Sequence, residues 1–114
     1  MSLERIIKIL ERFGFSRVDA QVYVYLAKTG PKEGRELTIG LRMAKQQLYL
    51  VLRHLKEKGV VTNSLDHPAL FSALDFEELL KVYIKLNEQQ AKSIEETKRE
   101  ILESWKNMED HTNN

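Results

Sequence analysis

The side chains whose types and spacing best suit a chemical task are Lys45, Gln46, Gln47 and Tyr49, and the task is recognition rather than bond-making. A Gln amide can hydrogen-bond an adenine or guanine edge, Lys meets phosphate, and an aromatic ring can cover a thymine methyl. Solvated helix faces are generally built from Glu and Lys, so adjacent glutamines in the first turn of a helix stand out. Lys32, Arg35, Arg42 and Arg53 surround this cluster as candidates for backbone phosphates, and His67 lies at a turn further along.

Residues suited to other chemistry lack the company that chemistry needs. His54, His67 and His111 are far apart and have no acidic or histidine companions at metal spacing, so no metal site is expected. Single glycines form no phosphate-binding loop, and Ser16, Ser64, Ser72 and Ser93 sit in no nucleophile pattern. The pairs Glu77-Glu78 and Glu95-Glu96 read as the solvated face of a helix rather than as acid and base. The chain is not expected to be an enzyme or to need a cofactor.

Among the elements that must position these residues, a helix over 44–58 comes first. Leu48, Val51, Leu52 and Leu55 recur at helical spacing and form its apolar stripe, leaving the opposite face free for a partner. Gly59 ends that helix. A shorter helix over 33–41 precedes it, with Leu37 and Leu41 inward, and the two meet at Leu41-Arg42-Met43. Upstream, Leu3, Ile6, Ile7, Leu10 and Phe13 share one helical face before Gly14. A second helix, opened by a Ser16/Asp19 capping box, stops at Gly30-Pro31. The runs 60–65 and 69–74 flank Asp66-His67-Pro68 and read as a β-hairpin.

From Asp75 onward there is no further Gly or Pro, and one unbroken helix is expected to about residue 110, with a disordered tail at 111–114. Leu80, Tyr83, Ile94, Ile101 and Met108 are the apolar members of a seam that advances by alternating steps of three and four, with Leu86 and Trp105 beside it. Asn87, Gln90, Thr97 and Ser104 take the remaining seam positions. Such a seam predicts a homodimeric coiled coil whose polar positions fix register.

Composition agrees with this division of labour. Of 114 residues 42% are hydrophobic, enough for a modest core, and there is no cysteine. No apolar run is long enough for a membrane span, and the charged N-terminus does not read as a signal peptide, so a cytoplasmic protein is expected. The net charge of +1 hides a gradient: residues 32–58 carry seven basic and three acidic side chains, while 59–114 carry six and eleven. The basic excess falls on the candidate reader.

The expected fold is therefore mainly α with a small β-hairpin: a winged helix-turn-helix over 1–75, followed by a dimerisation helix over 76–110. Over about residues 10–86 the order of motifs resembles the TrmB-like transcriptional regulators, a mainly archaeal winged-helix family. The resemblance is carried by FGFSRVDAQVYVYLAKTGP, RELTIGLRMAKQQLYLVLRHLKEKGVV and HPALFSALDFEELL. It implies double-stranded DNA as partner, with helix 44–58 in the major groove. Three positions depart from the family pattern. Arg42 replaces a common Gly in the turn, Ala44 replaces the usual Ser, Thr or Pro that opens the reader, and Asp66-His67 replaces a more basic wing tip. Family members usually carry a downstream effector domain; the chain ends after its long helix, so no small-molecule pocket of that kind is expected. The competing expectation is a protein-interaction winged helix with a docking coiled coil and little DNA binding.

Overall fold

A computed structural model describes residues 3–112, which form two compact units dividing between Leu79 and Leu80. In the first unit, α1 (Leu3–Arg12) and α2 (Arg17–Thr29) lead into β1 (Lys32–Glu33), α3 (Gly34–Leu41), α4 (Lys45–Glu57), β2 (Val61–Asn63) and β3 (Leu70–Ala73). The last helix of this unit, α5 (Phe76–Glu96), runs on into the second, which also holds α6 (Lys98–Thr112). No helix among the described residues is long and apolar enough to cross a membrane.

The core follows from the helical stripes. Ile7 and Leu10 of α1, Val22, Tyr23 and Leu26 of α2, Leu37 of α3 and the four apolar residues of the α4 stripe are all buried, and Leu79 closes the unit from α5. At about 25 cal/mol per Å² of apolar surface, each fully buried Leu or Ile contributes roughly 1.5–3 kcal/mol relative to exposure. Leu3, placed on the same stripe by its spacing, is instead exposed at the first residue of α1.

Two Tyr/Gly contacts set how closely α3 packs. A Cβ at Gly40 would collide with the Tyr25 hydroxyl of α2, and one at Gly34 with the Tyr49 hydroxyl of α4. The helix-breaking tendency of Gly40 is thus offset by the close approach of α2 that only a glycine permits.

The sheet has three strands where the sequence led us to expect two. β3 is central, pairing antiparallel with β2 (Thr62 opposite Ser72) and with β1 (Lys32 opposite Phe71), to give the order β1-β3-β2. A two-residue strand has no period-two pattern to read; it exists only because β3 supplies its partners. The expected helix start at Glu33 shifts accordingly. Glu33 caps α3 from the strand, and its N–H donates to Glu36 Oε1 at 3.0 Å.

At α2 the capping box is only half as expected. Ser16 Oγ accepts from the Asp19 N–H at 3.0 Å, but the buried Asp19 carboxylate faces His54 Nδ1 of α4 at 3.5 Å. The acid thus lies between α2 and α4. One turn further along α2, the buried Tyr23 hydroxyl donates to the Leu74 carbonyl just after β3.

The unbroken helix expected from Asp75 is two helices meeting at Thr97. The Thr97 N–H still donates to the Ser93 carbonyl at 3.1 Å, and the Ile101 N–H to the Thr97 carbonyl at 3.0 Å. The Thr97 hydroxyl also donates back to the Ser93 carbonyl, at 3.0 Å, so that one acceptor is shared between the ladder N–H and the side chain. Of the tail expected at 111–114, residues 113 and 114 lie outside the described residues, and the α6 backbone extends through Thr112.

Candidate nucleic-acid interface

The turn that aims α4 is built on an unfavourable conformation. Arg42 is left-handed (φ 55°, ψ 46°), the one non-glycine with positive φ among the described residues. For an L-residue that costs roughly 1–2 kcal/mol. In return, the Thr38 carbonyl at the end of α3 accepts from both the Arg42 and Met43 N–H groups. The chain then extends through Ala44 (φ −66°, ψ 145°), which occupies the N-cap of α4 and has no side chain to cap it. Both departures from the family pattern thus fall where they bear on the direction of α4.

At its other end α4 stops cleanly. Gly59 takes φ 76°, the Val60 N–H reaches back to the Leu55 carbonyl at 3.0 Å, and the chain enters β2. The connection between β2 and β3 is closed by Ser64, whose N–H donates to the Leu70 carbonyl and whose hydroxyl accepts from the Leu70 N–H, both at 2.9 Å. Beyond this clasp Leu65, Asp66 and His67 are exposed, with Leu65 at 94%.

With Leu48, Val51, Leu52 and Leu55 buried, the 3.6-residue period makes Gln46, Leu50, Arg53 and Glu57 the outermost ridge of α4. Lys45, Tyr49 and Lys56 lie on the flank toward the sheet, and Gln47 on the flank of His54. All of these except His54 are exposed. The Tyr49 ring is 42% exposed and meets Phe71 of β3 edge-on, with centroids 6.0 Å apart. It therefore braces α4 against β3 while staying partly open to solvent.

Between α3, the start of α4 and the wing return lies a cavity of about 390 Å³ edged by Arg35, Lys45, Tyr49 and Pro68. A second groove, between the later half of α4 and the strands, carries Arg53 and Lys56 on its rim. Of the expected contacts, Arg35, Lys45, Tyr49 and Arg53 border these two hollows. Gln46 lies on the ridge between the helix flanks, Arg42 is exposed on the turn, Lys32 is half-buried in β1, and His67 is out at the wing tip. Leu50 was missed by sequence reasoning. Its apolar type sorts it with the core, and only its phase relative to Leu48 and Val51 gives it away.

In the second unit Leu80 and Tyr83 are half-buried, whereas Leu86 (42%), Ile94 (62%), Ile101 (50%), Trp105 (58%) and Met108 (63%) are exposed. No cluster of three or more His, Asp or Glu side chains able to hold a metal occurs among the described residues.

Helix, turn, second helix and a β-wing returning on α4 define a winged helix-turn-helix fold. The chain belongs to the TrmB family of sugar-specific transcriptional regulators, whose family model matches residues 10–77. It is 27% identical over 105 residues to the HTH-type sugar sensing transcriptional regulator TrmBL1 of Pyrococcus furiosus, a match covering 92% of this chain and 30% of that protein. The chain thus spans less than a third of that relative. Among solved structures it is similar to TrmBL2, an archaeal chromatin protein, with a TM-score of 0.79 at 23% identity over 90% of this chain and 41% of the other. A transcriptional regulator of Thermotoga maritima matches with a TM-score of 0.58 at 21% identity, over 97% and 86% of the two chains. At these identities the structural likeness establishes the winged-helix fold, and the family is one of regulators rather than enzymes.

Proposed function

We propose that this chain binds double-stranded DNA sequence-specifically, as a homodimer in the cytoplasm, and so regulates transcription, with α4 laid in the major groove of each half-site. The observation that carries this reading is the exposed ridge of α4, where Gln46 and Arg53 project away from a fully buried Leu/Val stripe. A helix can enter the major groove only if its outward side chains match base edges and its flanks tolerate phosphate. Lys45, Gln46, Gln47 and Tyr49 serve bases or adjacent phosphates, and Lys32, Arg35, Arg42 and Arg53 serve the backbone. His67 makes the wing's contact beside an acidic Asp66.

Dimerisation is supported by the exposed apolar residues of α5 and α6, which recur at heptad-like steps and include Trp105. Two readers on one two-fold axis would double the phosphate contacts that a single weakly basic unit makes. Binding of the full chain to random duplex DNA, followed by gel shift across a salt series, tests the reading. Affinity is expected to fall steeply with salt. A chain that binds no duplex even at low salt would contradict it and favour a protein-interaction winged helix, a role to which the acidic wing tip is better suited.

A further inference from the structure

The ridge of α4 contains one side chain that neither donates nor accepts a hydrogen bond. Leu50 is 46% exposed and lies between Gln46, four residues before it, and Arg53, three residues after it. All other aliphatic residues of α4 face the core. An isolated exposed leucine is ordinary on a protein surface. At the centre of a ridge proposed to face base edges, its chemistry selects one feature of the major groove. Donors and acceptors there are satisfied by polar side chains, and the apolar group displayed is the 5-methyl of thymine.

Resting on the reading of α4 as the major-groove helix, we propose that Leu50 contacts the 5-methyl group of a thymine in each half-site and makes thymine a requirement at that position. Gln46, on the same ridge and nearer the helix N-terminus, engages the base edge beside it. Adenine is its fitting partner, because the Gln amide matches adenine N6 and N7 in a paired hydrogen bond. Glu57 ends the ridge on the far side with a charge that phosphate repels, which confines base reading to the first two turns of α4. Tyr49, the other candidate for a thymine methyl, meets Phe71 edge-on from the flank and leaves the ridge to Leu50.

The test removes only the methyl group. An operator is first selected with the full chain from a random duplex pool, and each thymine is then replaced singly by deoxyuridine. Binding of a labelled duplex is followed by fluorescence anisotropy for the native chain and for Leu50→Ala and Leu50→Met. Removing one buried methyl group weakens binding about fourfold, equivalent to ~0.8 kcal/mol. The expected result is one thymine per half-site with that effect in the native chain, no difference between thymine and deoxyuridine for Leu50→Ala, and a retained difference for Leu50→Met. If the native chain prefers its operator over random DNA but no thymine shows the effect, or Leu50→Ala keeps it, the assignment of Leu50 is overturned while the reader helix stands. If no operator can be selected, the proposal falls together with the reading of α4 on which it rests.

Discussion

The hydroxyl of Tyr49 occupies the space that a side chain at Gly34 would need, so the first residue of α3 and the reader helix are fitted to each other through a single ring. The same ring meets Phe71 of β3 edge-on. Gly34→Ala must therefore push Tyr49 off the wing or part α3 from α4, and overpacking of this kind costs roughly 1–3 kcal/mol. Gain in helix propensity offsets little of this at the first helical position. Tyr49→Phe removes the nearest clash but leaves the ring carbon Cζ 2.9 Å from the added Cβ, so it should rescue Gly34→Ala only in part. Urea denaturation of the two single variants and the double variant measures that coupling; strict additivity would refute the contact.

Arg42 gives a prediction with opposed signs. Arg42→Gly relieves a left-handed residue worth roughly 1–2 kcal/mol, less the ~0.5–1 kcal/mol of chain entropy that glycine adds to the unfolded state. Stability should rise by a few tenths to about 1 kcal/mol. DNA affinity should nevertheless fall for all sequences alike, and the slope of log affinity against log salt should shrink by about 0.9 for each phosphate that Arg42 neutralises. A variant that is more stable and binds equally well would remove Arg42 from the interface.

Ala44 leaves the start of α4 without a side-chain cap. Its extended backbone is the conformation an N-cap requires, so Ala44→Ser should stabilise the chain by about 0.5–2 kcal/mol without rearrangement. Thermal unfolding followed by circular dichroism checks this, and no rise in Tm would mean that the turn cannot present the hydroxyl to the free N–H groups.

Tyr23 sets an alkaline limit. Burial, with the Asp75 carboxylate adding to it, pushes its phenol up from the ordinary 10 to about 12. The neutral form is thus favoured in the folded state. Its contribution is complete below pH 10 and is lost as pH rises towards 12, a difference of roughly 2–3 kcal/mol. Tyr23→Phe should flatten that decline relative to the native chain, and should itself cost about 0.5–1.5 kcal/mol at neutral pH through loss of the hydrogen bond to Leu74. Identical pH profiles for the two proteins would contradict the assignment.

Much of this architecture was legible in residue order. Apolar periodicity marked four helices, Gly14, Gly30 and Gly59 marked their ends, and the α4 stripe was readable from Leu48 to Leu55 residue by residue. The Arg42 turn and the missing cap at Ala44 were legible only through the family resemblance, as departures from its pattern at single matched positions. What escaped depends on distant partners. β1 exists only beside β3, and Asp19 could not be matched with His54 because α2 and α4 meet only once the core forms. Leu50 escaped for another reason: hydrophobicity alone sorts it inward, and its helical phase sends it out. In the candidate site, residue types were legible singly, whereas their division between ridge and flank follows only when each is phased against the buried stripe of α4. Gln46 and Gln47 look equivalent in sequence, yet only Gln46 lies on the ridge with Leu50 and Arg53.

That two copies of α4 read DNA together is tested most directly by selecting bound fragments from a random duplex pool with the full chain. A pseudo-palindromic sequence is expected, with half-sites one helical turn, about 10 base pairs, or a multiple of that apart, as two-fold related reader helices require. Recovery of a single unrepeated half-site would contradict the dimer. Recovery of no enriched sequence would contradict the reader itself.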